Sequence, residues 1–399
     1  MEGQMKKHIT VTIILMLIVT LVLAGFLRWR SSMEEENNST DMQKHTVKSE
    51  TVKETEQQEP EQQEPVTVQT TEDVQETEKS TEAVADQTDK AVSMIFTGDV
   101  LFANSFSTAY GNGGITKVIS QDLLQELNQA DITMVNEEFP FSTRGTKMEN
   151  KQYTFRADPA NVKALQEMGV DIVSLANNHI LDYGKDALED TFTTLDGAGI
   201  LYAGAGTSAE RAKACQTIMV NGTKVGFLAA SRVIPEGNWN VDDSTPGVFT
   251  TYDGNALCKA VADARKVCDY VVVFVHWGVE QEAYPEDYQK NLAKQYVDAG
   301  ADLVIGSHTH CLQGIEYYNG KPIYYSLGNF IFGSNINQSM AVKITIGTDK
   351  TTTCQLIPVY AASGCTMKME ESGASSLYRY MESISNGIHI AEDGTVQTQ

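Results

Sequence analysis

Basic residues are scarce in this sequence. Its 399 residues include 30 Lys and Arg against 53 Asp and Glu, which gives a formal net charge of −23. Because binding to nucleic-acid phosphates requires a basic surface, this deficit argues against a nucleic acid as the main partner. A local basic pocket is still compatible with the composition.

Residues 33–90 lack Phe, Trp and Tyr altogether. They contain 17 acidic residues and 5 Lys, and residues 56–65 form the short direct repeat EQQEPEQQEP. Such a segment cannot bury enough apolar surface to offset the entropy lost on ordering. We therefore predict a disordered acidic linker that acts as a stalk. Binding of a partner through its negative charge is the alternative.

Residues 9–27 lack charged side chains over nineteen positions. A helix of that length can just cross a hydrocarbon layer of about 30 Å. Basic residues flank the run on both sides, and Trp29 suits the membrane interface. A cleaved signal peptide is the alternative, but no small-x-small cleavage site follows the run. We predict that residues 1–32 form a cytoplasmic tip and a transmembrane signal anchor of a single-pass cell-membrane protein, with the folded domain outside the cell.

Cys-x-x-Cys motifs are also absent. An even number of cysteines in an extracellular domain permits disulfides, but six cysteines allow many pairings and the sequence selects none of them. Cys311 follows a His-x-His motif and is interpreted as a small buried hydrophobe. The six cysteines are Cys215, Cys258, Cys268, Cys311, Cys354 and Cys365.

Residues 91–399 predict one large α/β domain with its core at 93–360. Strands that alternate with helices favour a parallel sheet, and the late succession of strands predicts an antiparallel portion or a second sheet. The predicted strands are 91–99, 131–138, 170–179, 223–231, 269–278, 301–310, 340–347 and 351–360, with a hairpin at 314–330. The predicted helices are 115–127, 159–168, 185–198, 256–266 and 285–299.

Polar side chains follow five of these predicted strands at the point where each ends. Ligand sites of open α/β sheets lie beyond the carboxyl ends of the strands, so we expect these residues at one rim. His308 and His310 are two residues apart, and an extended backbone would point both the same way. Imidazole and carboxylate ligands suit Zn, Mn or Fe, which predicts a metal site. The polar residues are Asp99, Asn136, Glu137, Asn177, Asn178, His179, His276, His308 and His310.

Five blocks of the sequence between residues 93 and 332 form a recognisable series: TGDVLF, VNEEFPFS, SLANNHILDYG, VHWGVE and GADLVIGSHTHCLQGIEYYNGKPIYYSLGNFIF. In this order they resemble the CapA family of bacterial poly-γ-glutamate capsule synthesis proteins, which is related to calcineurin-like metallophosphatases. The resemblance implies a four-layer α/β/β/α sandwich with a metal centre at the sheet edges.

The resemblance also implies roles for individual residues. His179 would face the substrate as an acid or oxyanion partner, and Asp182 would orient it; a helix-start cap is the alternative for Asp182. The implied cofactor is one or two divalent ions, with Mn, Zn and Fe as candidates, and Glu137 as the bridge between two ions. The implied metal ligands are Asp99, Glu137, Asn178, His276, His308 and His310.

The sequence departs from the wider metallophosphatase pattern at one position. Those enzymes carry Asp-x-His on the first strand, whereas here Leu101 stands two residues after Asp99. One imidazole ligand is therefore missing, which leaves the number of ions open.

Candidate substrate and supporting residues surround these ligands in the sequence. The arginines among them are candidates for binding an anion through forked hydrogen bonds, with surface or structural roles as the alternative. Core packing is the alternative for Trp277. The substrate candidates are Arg144, Arg156, Arg232, Trp277 and Glu280; the candidates for a supporting shell around the metal ligands are Asn136, Asn177, Ser326 and Asn329.

Two functions fit this sequence. The first is a membrane-anchored, extracytoplasmic, metal-dependent hydrolase or transferase that acts on a phosphate ester or an amide-linked anionic polymer, with poly-γ-glutamate implied by the resemblance. The second is a non-catalytic, metal-stabilised accessory or tethering subunit of a capsule polymer synthase. The expected partners are the membrane, the capsule polymer and membrane synthase or export subunits.

Overall fold

The computed structural model describes residues 90–333 and 335–399. The predicted transmembrane anchor and all but the last residue of the predicted linker lie outside these ranges. Within the two ranges, no helix is long and apolar enough to span a membrane.

The strands and helices alternate over most of the described chain. In chain order the strands are β1 (Val92–Val100), β2 (Ile132–Glu137), β3 (Ile172–Ser174), β4 (Leu201–Ala203), β5 (Ala205–Gly206), β6 (Gln216–Val220), β7 (Thr223–Ser231), β8 (Gly247–Val248), β9 (Tyr270–His276), β10 (Leu303–Ser307), β11 (Ile315–Tyr318), β12 (Lys321–Tyr324), β13 (Asn329–Ile331), β14 (Ile336–Ile346), β15 (Thr352–Ala362), β16 (Cys365–Lys368), β17 (Ile388–Ile390) and β18 (Val396–Thr398). The helices are α1 (Asn104–Gly111), α2 (Gln121–Gln129), α3 (Val162–Glu167), α4 (Lys185–Ala198), α5 (Ala209–Lys213), α6 (Asn255–Arg265), α7 (Asp287–Asp298) and α8 (Glu371–Ile384), with short 3-10 turns at Ile115–Lys117, Pro159–Asn161 and Gly237–Trp239.

Two sheets form the centre of the domain. The first has the order β16-β15-β14-β1-β2-β3-β4 with β13 beside β1, and the second has the order β11-β12-β10-β9-β7-β6. Strands β1 to β4 run parallel, as do β7, β9, β10 and β12, whereas β6, β11 and β14 to β16 pair antiparallel. The prediction of an α/β fold with parallel strands is confirmed, and both alternatives predicted for the late strands, an antiparallel portion and a second sheet, occur in the structure.

Strand β9 shows how the second sheet uses its two faces. Its even-numbered residues from 270 to 274 belong to the hydrophobic cluster that includes the first sheet. Its odd-numbered residues from 271 to 275 belong to another cluster, together with apolar residues of α6 and α7. Because side chains alternate along a strand, one face packs on the first sheet and the other on helices.

The predicted elements differ from the structure mainly at their ends. The predicted helix at 115–127 starts as a 3-10 turn and becomes α-helical only at Gln121, and the predicted strand at 170–179 is regular only at Ile172–Ser174. The hairpin turn at Asn319 and Gly320 has the expected positive φ values of 50° and 74°. Because β3 and β10 end earlier than predicted, the polar residues of those two segments lie on loops, whereas the polar residues predicted at the ends of β1, β2 and β9 remain in strands, apart from Glu138.

All six cysteines are free thiols. The disulfides that the sequence permits are therefore not formed in this structure. Apolar packing and the two sheets hold the described domain together.

Candidate metal centre

The carboxyl ends of strands from both sheets meet at one edge of the domain. Asp99 lies near the end of β1, where the pairing register with β13 shifts, and His276 is the last residue of β9. The backbone N–H of His308, which directly follows β10, lies 3.4 Å from Asp99 Oδ2. A register shift of this kind re-aims a side chain and is common beside functional sites.

Two overlapping groups of side chains bring their potential ligand atoms close enough together to share a metal ion. Glu138, His276 and His308 form one group, and Asp99, Glu138 and His310 form the other. Within each group, one potential ligand atom per residue lies within 4.8 Å of the others. Glu138 belongs to both groups and so occupies the place of a shared carboxylate.

Individual contacts tie the groups together. Glu138 Oε1 lies 3.6 Å from His276 Nε2, and Asp99 Oδ2 lies 3.3 Å from His310 Nδ1. The Oδ1 atom of Asn178 lies 2.7 Å from His276 Nε2. The structure thus brings together five of the six predicted metal ligands, and Glu138 joins them.

Glu137 is the predicted ligand that is absent from both groups. Asn136, one residue earlier, donates a hydrogen bond to Asp99 Oδ1 at 2.8 Å and so faces the centre. Because side chains alternate along β2, Glu137 lies on the opposite side, and the chain then leaves the strand and places Glu138 at the centre. Glu138, rather than Glu137, is therefore placed where a carboxylate could bridge two ions.

His308 and His310 lie on a turn rather than on the extended backbone that the sequence predicted. Strand β10 ends at Ser307, and the two histidines have φ values of 97° and 55°. Positive φ is uncommon for residues other than glycine, and such strain concentrates at functional sites. The turn, not strand alternation, brings both imidazoles to the centre.

The buried polar atoms of the centre fit a divalent cation. Both carboxylate oxygens of Glu138 and the Nδ1 atom of His308 are buried without a hydrogen-bond partner among the described residues. Buried charge of this kind is costly unless it is paired or coordinates a metal. Imidazole nitrogens and carboxylate oxygens together are the ligands of Zn, Mn and Fe sites.

The electrostatics of these groups agree with that fit. Burial raises the pKa of Glu138 well above its usual range, and the charge of Asp99 raises it further. Burial lowers the pKa of His276 well below its usual range and that of His308 to about 4. Burial would also lower the pKa of His310, but the hydrogen bond with Asp99 and the charge of Glu138 outweigh it and raise the pKa to about 10. The raised pKa of His310 shows that the acidic side chains attract positive charge to this position, whereas the shifts of Glu138, His276 and His308 reflect burial.

The predicted supporting residues contact the ligands or one another. Asn177 donates a hydrogen bond to Asn136 Oδ1 at 3.3 Å, and Asn329 Oδ1 lies 2.8 Å from His310 Nδ1. Ser326 Oγ accepts a hydrogen bond from Thr309 Oγ1 at 2.9 Å. Thr309 is the residue between the two histidines of the turn, so this bond holds the turn in place. These contacts fix the orientation of the ligand side chains.

His179 and Asp182 form a buried pair next to the centre. The Nδ1 atom of His179 lies 2.7 Å from Asp182 Oδ2, so the carboxylate accepts a hydrogen bond and leaves Nε2 unprotonated in the neutral ring. Asp182 also accepts from the backbone N–H of Phe155 at 2.7 Å and from the ammonium of Lys151. Burial lowers the pKa of His179, while the bond with Asp182 opposes that shift.

Lys151 is a functional candidate that the sequence analysis missed. Its ammonium donates to Asp182 and to the backbone carbonyl of Asn178, and it lies 3.0 Å from His179 Nδ1. Only 13% of its side chain is exposed. It lies on an irregular loop with no periodic signal, so only the tertiary structure reveals it.

Two of the candidate substrate arginines have partners within the protein. The exposed Arg144 forms an ion pair with Asp190 at 2.6 Å. Arg156 donates to the carbonyl of Arg144 at 2.8 Å and stacks on Tyr183, with 4.1 Å to the ring centroid. These contacts agree with the alternative that both residues are structural.

The remaining substrate candidates differ in their placement. Trp277 is fully buried in the cluster with α6 and α7 and donates to the carbonyl of Tyr325 at 2.9 Å, in agreement with the core-packing alternative. Glu280 is exposed, and its charge acts on the pKa of Glu138 and of Lys151. Arg232 packs between two tyrosine rings.

A family model named "Bacterial capsule synthesis protein PGA_cap" matches residues 93–334. The chain belongs to this family. The match includes every candidate ligand of the centre, so the centre lies within the matched residues. The predicted resemblance to CapA proteins is thereby confirmed.

Relatives within the family cover different shares of the chain. The "PGA biosynthesis protein CapA" of Bacillus subtilis (strain 168) is 29% identical over 321 residues, which are 79% of this chain and 84% of the relative. The "Capsule biosynthesis protein CapA" of Bacillus anthracis is 32% identical over 262 residues, 63% of either chain. A "Probable polyglutamine synthesis accessory protein" of Mycobacterium tuberculosis is 33% identical over 217 residues, 52% of this chain and 57% of the relative. The chain thus spans less than two thirds of the length of the last two.

Leu101 lies two residues after Asp99, directly after the end of β1. Its side chain is 3% exposed and belongs to the hydrophobic core, and its backbone N–H donates to Ile331 at 2.7 Å. An apolar side chain offers no ligand atom. The position two residues after Asp99 therefore supplies no metal ligand.

Proposed function

We propose that this protein is a membrane-anchored, extracytoplasmic member of the PGA_cap family with a metal-dependent, hydrolase-type centre that acts in poly-γ-glutamate capsule synthesis or export. Its folded part would be a four-layer α/β/β/α sandwich. The names of the Bacillus relatives support the connection with the capsule polymer. The apolar run at 9–27 supports the anchor, and the acidic residues at 33–90 support the linker.

One observation carries the proposal: two carboxylates and three imidazoles from both sheets lie together, all of them buried except the half-buried His310, and the oxygens of Glu138 have no hydrogen-bond partner among the described residues. One or two ions of Mn, Zn or Fe would bind here. A bound divalent ion supplies charge stabilisation and activates water for hydrolysis. The proposed ligands are Asp99, Glu138, Asn178, His276, His308 and His310.

His179 is the proposed catalytic side chain of this chain. Asp182 holds its Nδ1 proton, and this contact orients the ring with Nε2 free. In that tautomer Nε2 can take up a proton and later donate it to a leaving group, or stabilise an oxyanion once protonated. Lys151 neutralises Asp182 and acts as a positioning residue for this pair.

Metal analysis of the purified full chain tests the proposal. We expect His276→Ala and His308→Ala to lose bound metal and metal-dependent phosphoesterase turnover, whereas His389→Ala, which alters an exposed histidine paired with Glu382, keeps both. Chelation should abolish turnover of the unmodified protein. Full metal content in both ligand variants would refute the assignment of the site.

A non-catalytic accessory role is the second candidate function. Leu101 favours it, because the missing imidazole weakens the case for a two-metal hydrolase. The printed name of the Mycobacterium tuberculosis relative also describes an accessory protein. A deletion strain that carries His179→Ala, still folded and loaded with metal, separates the two functions. Restored polymer production supports the accessory role, and its failure supports chemistry at His179.

The location of the domain has its own test. We expect the full chain in the membrane fraction, with the folded part accessible to protease added outside intact cells. A chain that lacks residues 1–32 should leave the membrane fraction. Recovery of the membrane synthase or export subunits with the full chain would support the proposed partners.

A further inference from the structure

Arg232 lies at the rim beside the metal centre, just beyond the end of β7. Its backbone N–H donates to the carbonyl of His276 at 2.8 Å. The preceding Ser231 accepts a hydrogen bond from the N–H of Val233 at 3.0 Å, which closes a tight turn around Arg232. The base of this side chain is therefore fixed to the strand end that carries a proposed metal ligand.

Two tyrosine rings hold the guanidinium of Arg232. Its Cζ atom lies 4.2 Å from the ring centroid of Tyr252 and 5.0 Å from that of Tyr288. Tyr288 is anchored because its hydroxyl accepts a hydrogen bond from the N–H of Gly278 at 2.7 Å. Stacking on aromatic faces is favourable for arginine and leaves the N–H groups in its plane free to bind.

No acceptor in the described part of the chain satisfies this guanidinium. Its Nε is buried without a hydrogen-bond partner there. Each of the other arginines in the described ranges donates to a protein oxygen, so Arg232 is the exception. The other five donate as follows: Arg144 to Asp190, Arg156 to the carbonyl of Arg144, Arg211 to the carbonyl of Tyr202, Arg265 to Asp302 and Arg379 to Ser376.

We propose that Arg232, held by Tyr252 and Tyr288, is a carboxylate-binding subsite for an anionic chain that also reaches the metal centre. The inference rests on the proposed function, which supplies the metal centre. A carboxylate matches the planar fork of a guanidinium with two parallel hydrogen bonds. The rings cover the faces of the guanidinium, so the carboxylate approaches in its plane.

The position of Arg232 relative to the metal centre indicates how long a ligand must be to reach both. Ala229 faces the cluster that includes the first sheet, whereas Ala230 faces the cluster with α6 and α7. Arg232 follows the end of β7, and its guanidinium lies over Tyr288 of α7, so it is on the helix side of the second sheet, while His276 faces the metal centre. A ligand that occupies both positions passes over the sheet edge, which favours an oligomer with repeated carboxylates over a single small anion.

Calorimetric titration of the full chain with a γ-linked oligomer of glutamate tests the subsite. We expect Arg232→Gln to weaken binding by about 10- to 100-fold, because a charged hydrogen bond is lost. Arg232→Lys keeps the charge without the planar fork and should give a smaller loss. Arg144→Gln is the matched control, since it removes an exposed arginine that already pairs with Asp190. The measurements are made with Mn²⁺ and again with chelator, and each variant is checked for an unchanged melting temperature.

The outcomes are decisive in both directions. An Arg232-specific loss, with and without the metal, supports the subsite. The subsite is overturned if Arg144→Gln loses as much affinity for the oligomer as Arg232→Gln, or if a folded Arg232→Gln protein binds the oligomer as the unmodified chain does. If inorganic phosphate binds in an Arg232-dependent manner and the glutamate oligomer does not, the assignment to a carboxylate is overturned. Failure of the proposed metal function is recognised separately, as absence of bound metal and of turnover, since the chelated arm measures the subsite without the ion.

Discussion

Glu138 and His276 approach each other across the two sheets, with 3.6 Å between Glu138 Oε1 and His276 Nε2. Glu138 follows β2 of the first sheet, and His276 ends β9 of the second sheet. Neither sheet alone could form this contact. The candidate metal centre therefore forms only when the two sheets pack together, so metal binding at this centre depends on that packing.

Two adjacent glutamates give the sharpest test of the ligand set. We expect Glu138→Gln to weaken metal binding by more than about 100-fold, because even the loss of a partner outside the ligand shell costs about 10- to 100-fold. Glu137→Gln should leave metal binding unchanged. Inductively coupled plasma analysis after dialysis against a defined free-metal concentration measures both.

The control is built into the pair, since both variants exchange one buried carboxyl group for a carboxamide at neighbouring positions. Burial raises the pKa of Glu137 well above its usual range, as it does that of Glu138, and the oxygens of both are buried without a hydrogen-bond partner among the described residues, so the two variants differ in position rather than in burial. If Glu137→Gln lost its metal while Glu138→Gln kept a full metal content, Glu137 would be the ligand, as the sequence predicted.

Metal binding should stabilise the folded domain. An ion that binds only the native state raises the free energy of unfolding by about 2.7 kcal/mol at 100 times its dissociation constant. We expect this increment for Mn²⁺ in chemical denaturation of the unmodified chain, because the carboxylates of Asp99 and Glu138 lose their mutual repulsion when a cation binds between them.

His308→Ala should remove the stabilising effect of the metal, whereas His389→Ala should retain it. His389 is 52% exposed at its side chain and lies outside both candidate groups, so it controls for the loss of a histidine as such. Equal stabilisation by Mn²⁺ in all three proteins would place the ion elsewhere.

The sequence predicts the residue types of the centre better than their exact positions. Asp99, His276 and His308 stand at the carboxyl ends of strands, where ligand sites of α/β folds lie, so their convergence could be predicted although two separate sheets carry them. The exchange of Glu137 for Glu138 could not, because it depends on where β2 ends, and element boundaries are the least reliable part of a pattern. The turn at His310 likewise depends on backbone strain that leaves no trace in composition.

Contacts that join distant irregular loops were beyond sequence reasoning. Lys151 reaches Asp182 from a loop 31 residues earlier, without a periodic pattern on either side. The sequence left two roles open for Trp277, core packing and substrate binding, because an aromatic residue that follows a strand is common in both. Only the register and faces of β9 decide between them.

Lys151 should be important for stability as well as for the position of His179. Removal of one partner from a buried ion pair leaves the other charge uncompensated, so we expect Lys151→Met to lower the free energy of unfolding by about 3 kcal/mol. Lys147→Met, on the same loop but exposed, should change it by less than about 0.5 kcal/mol. Urea denaturation measures both.

Lys151→Arg provides a second comparison, since it keeps the positive charge next to Asp182. We expect this variant to lie between the unmodified chain and Lys151→Met. If Lys151→Met were as stable as Lys147→Met, the ammonium would not be paired with Asp182 in solution, and its role as a positioning residue would be lost.

Gly98 controls the position of Asp99 through a close approach of two backbones. A Cβ atom at Gly98 would lie 1.7 Å from the carbonyl oxygen of Gly328, the same oxygen that accepts the N–H of Asp99 at 3.0 Å. Because the obstacle is backbone, it cannot move aside as a flexible side chain would. We expect Gly98→Ala to lower the free energy of unfolding by about 3 kcal/mol and to reduce metal content, since β1 and β13 must separate.

Gly197→Ala is the matched control for this substitution. Gly197 lies within α4, and a Cβ atom there would meet nothing within 4 Å. Alanine is the better helix former, so this variant should gain about 0.5 to 1 kcal/mol and keep its metal. Thermal denaturation and metal analysis of the two variants together separate a general effect of the added methyl group from the specific contact. A Gly98→Ala protein with unchanged stability and full metal content would mean that Asp99 reaches the centre without the close pairing of β1 with the Gly328 segment.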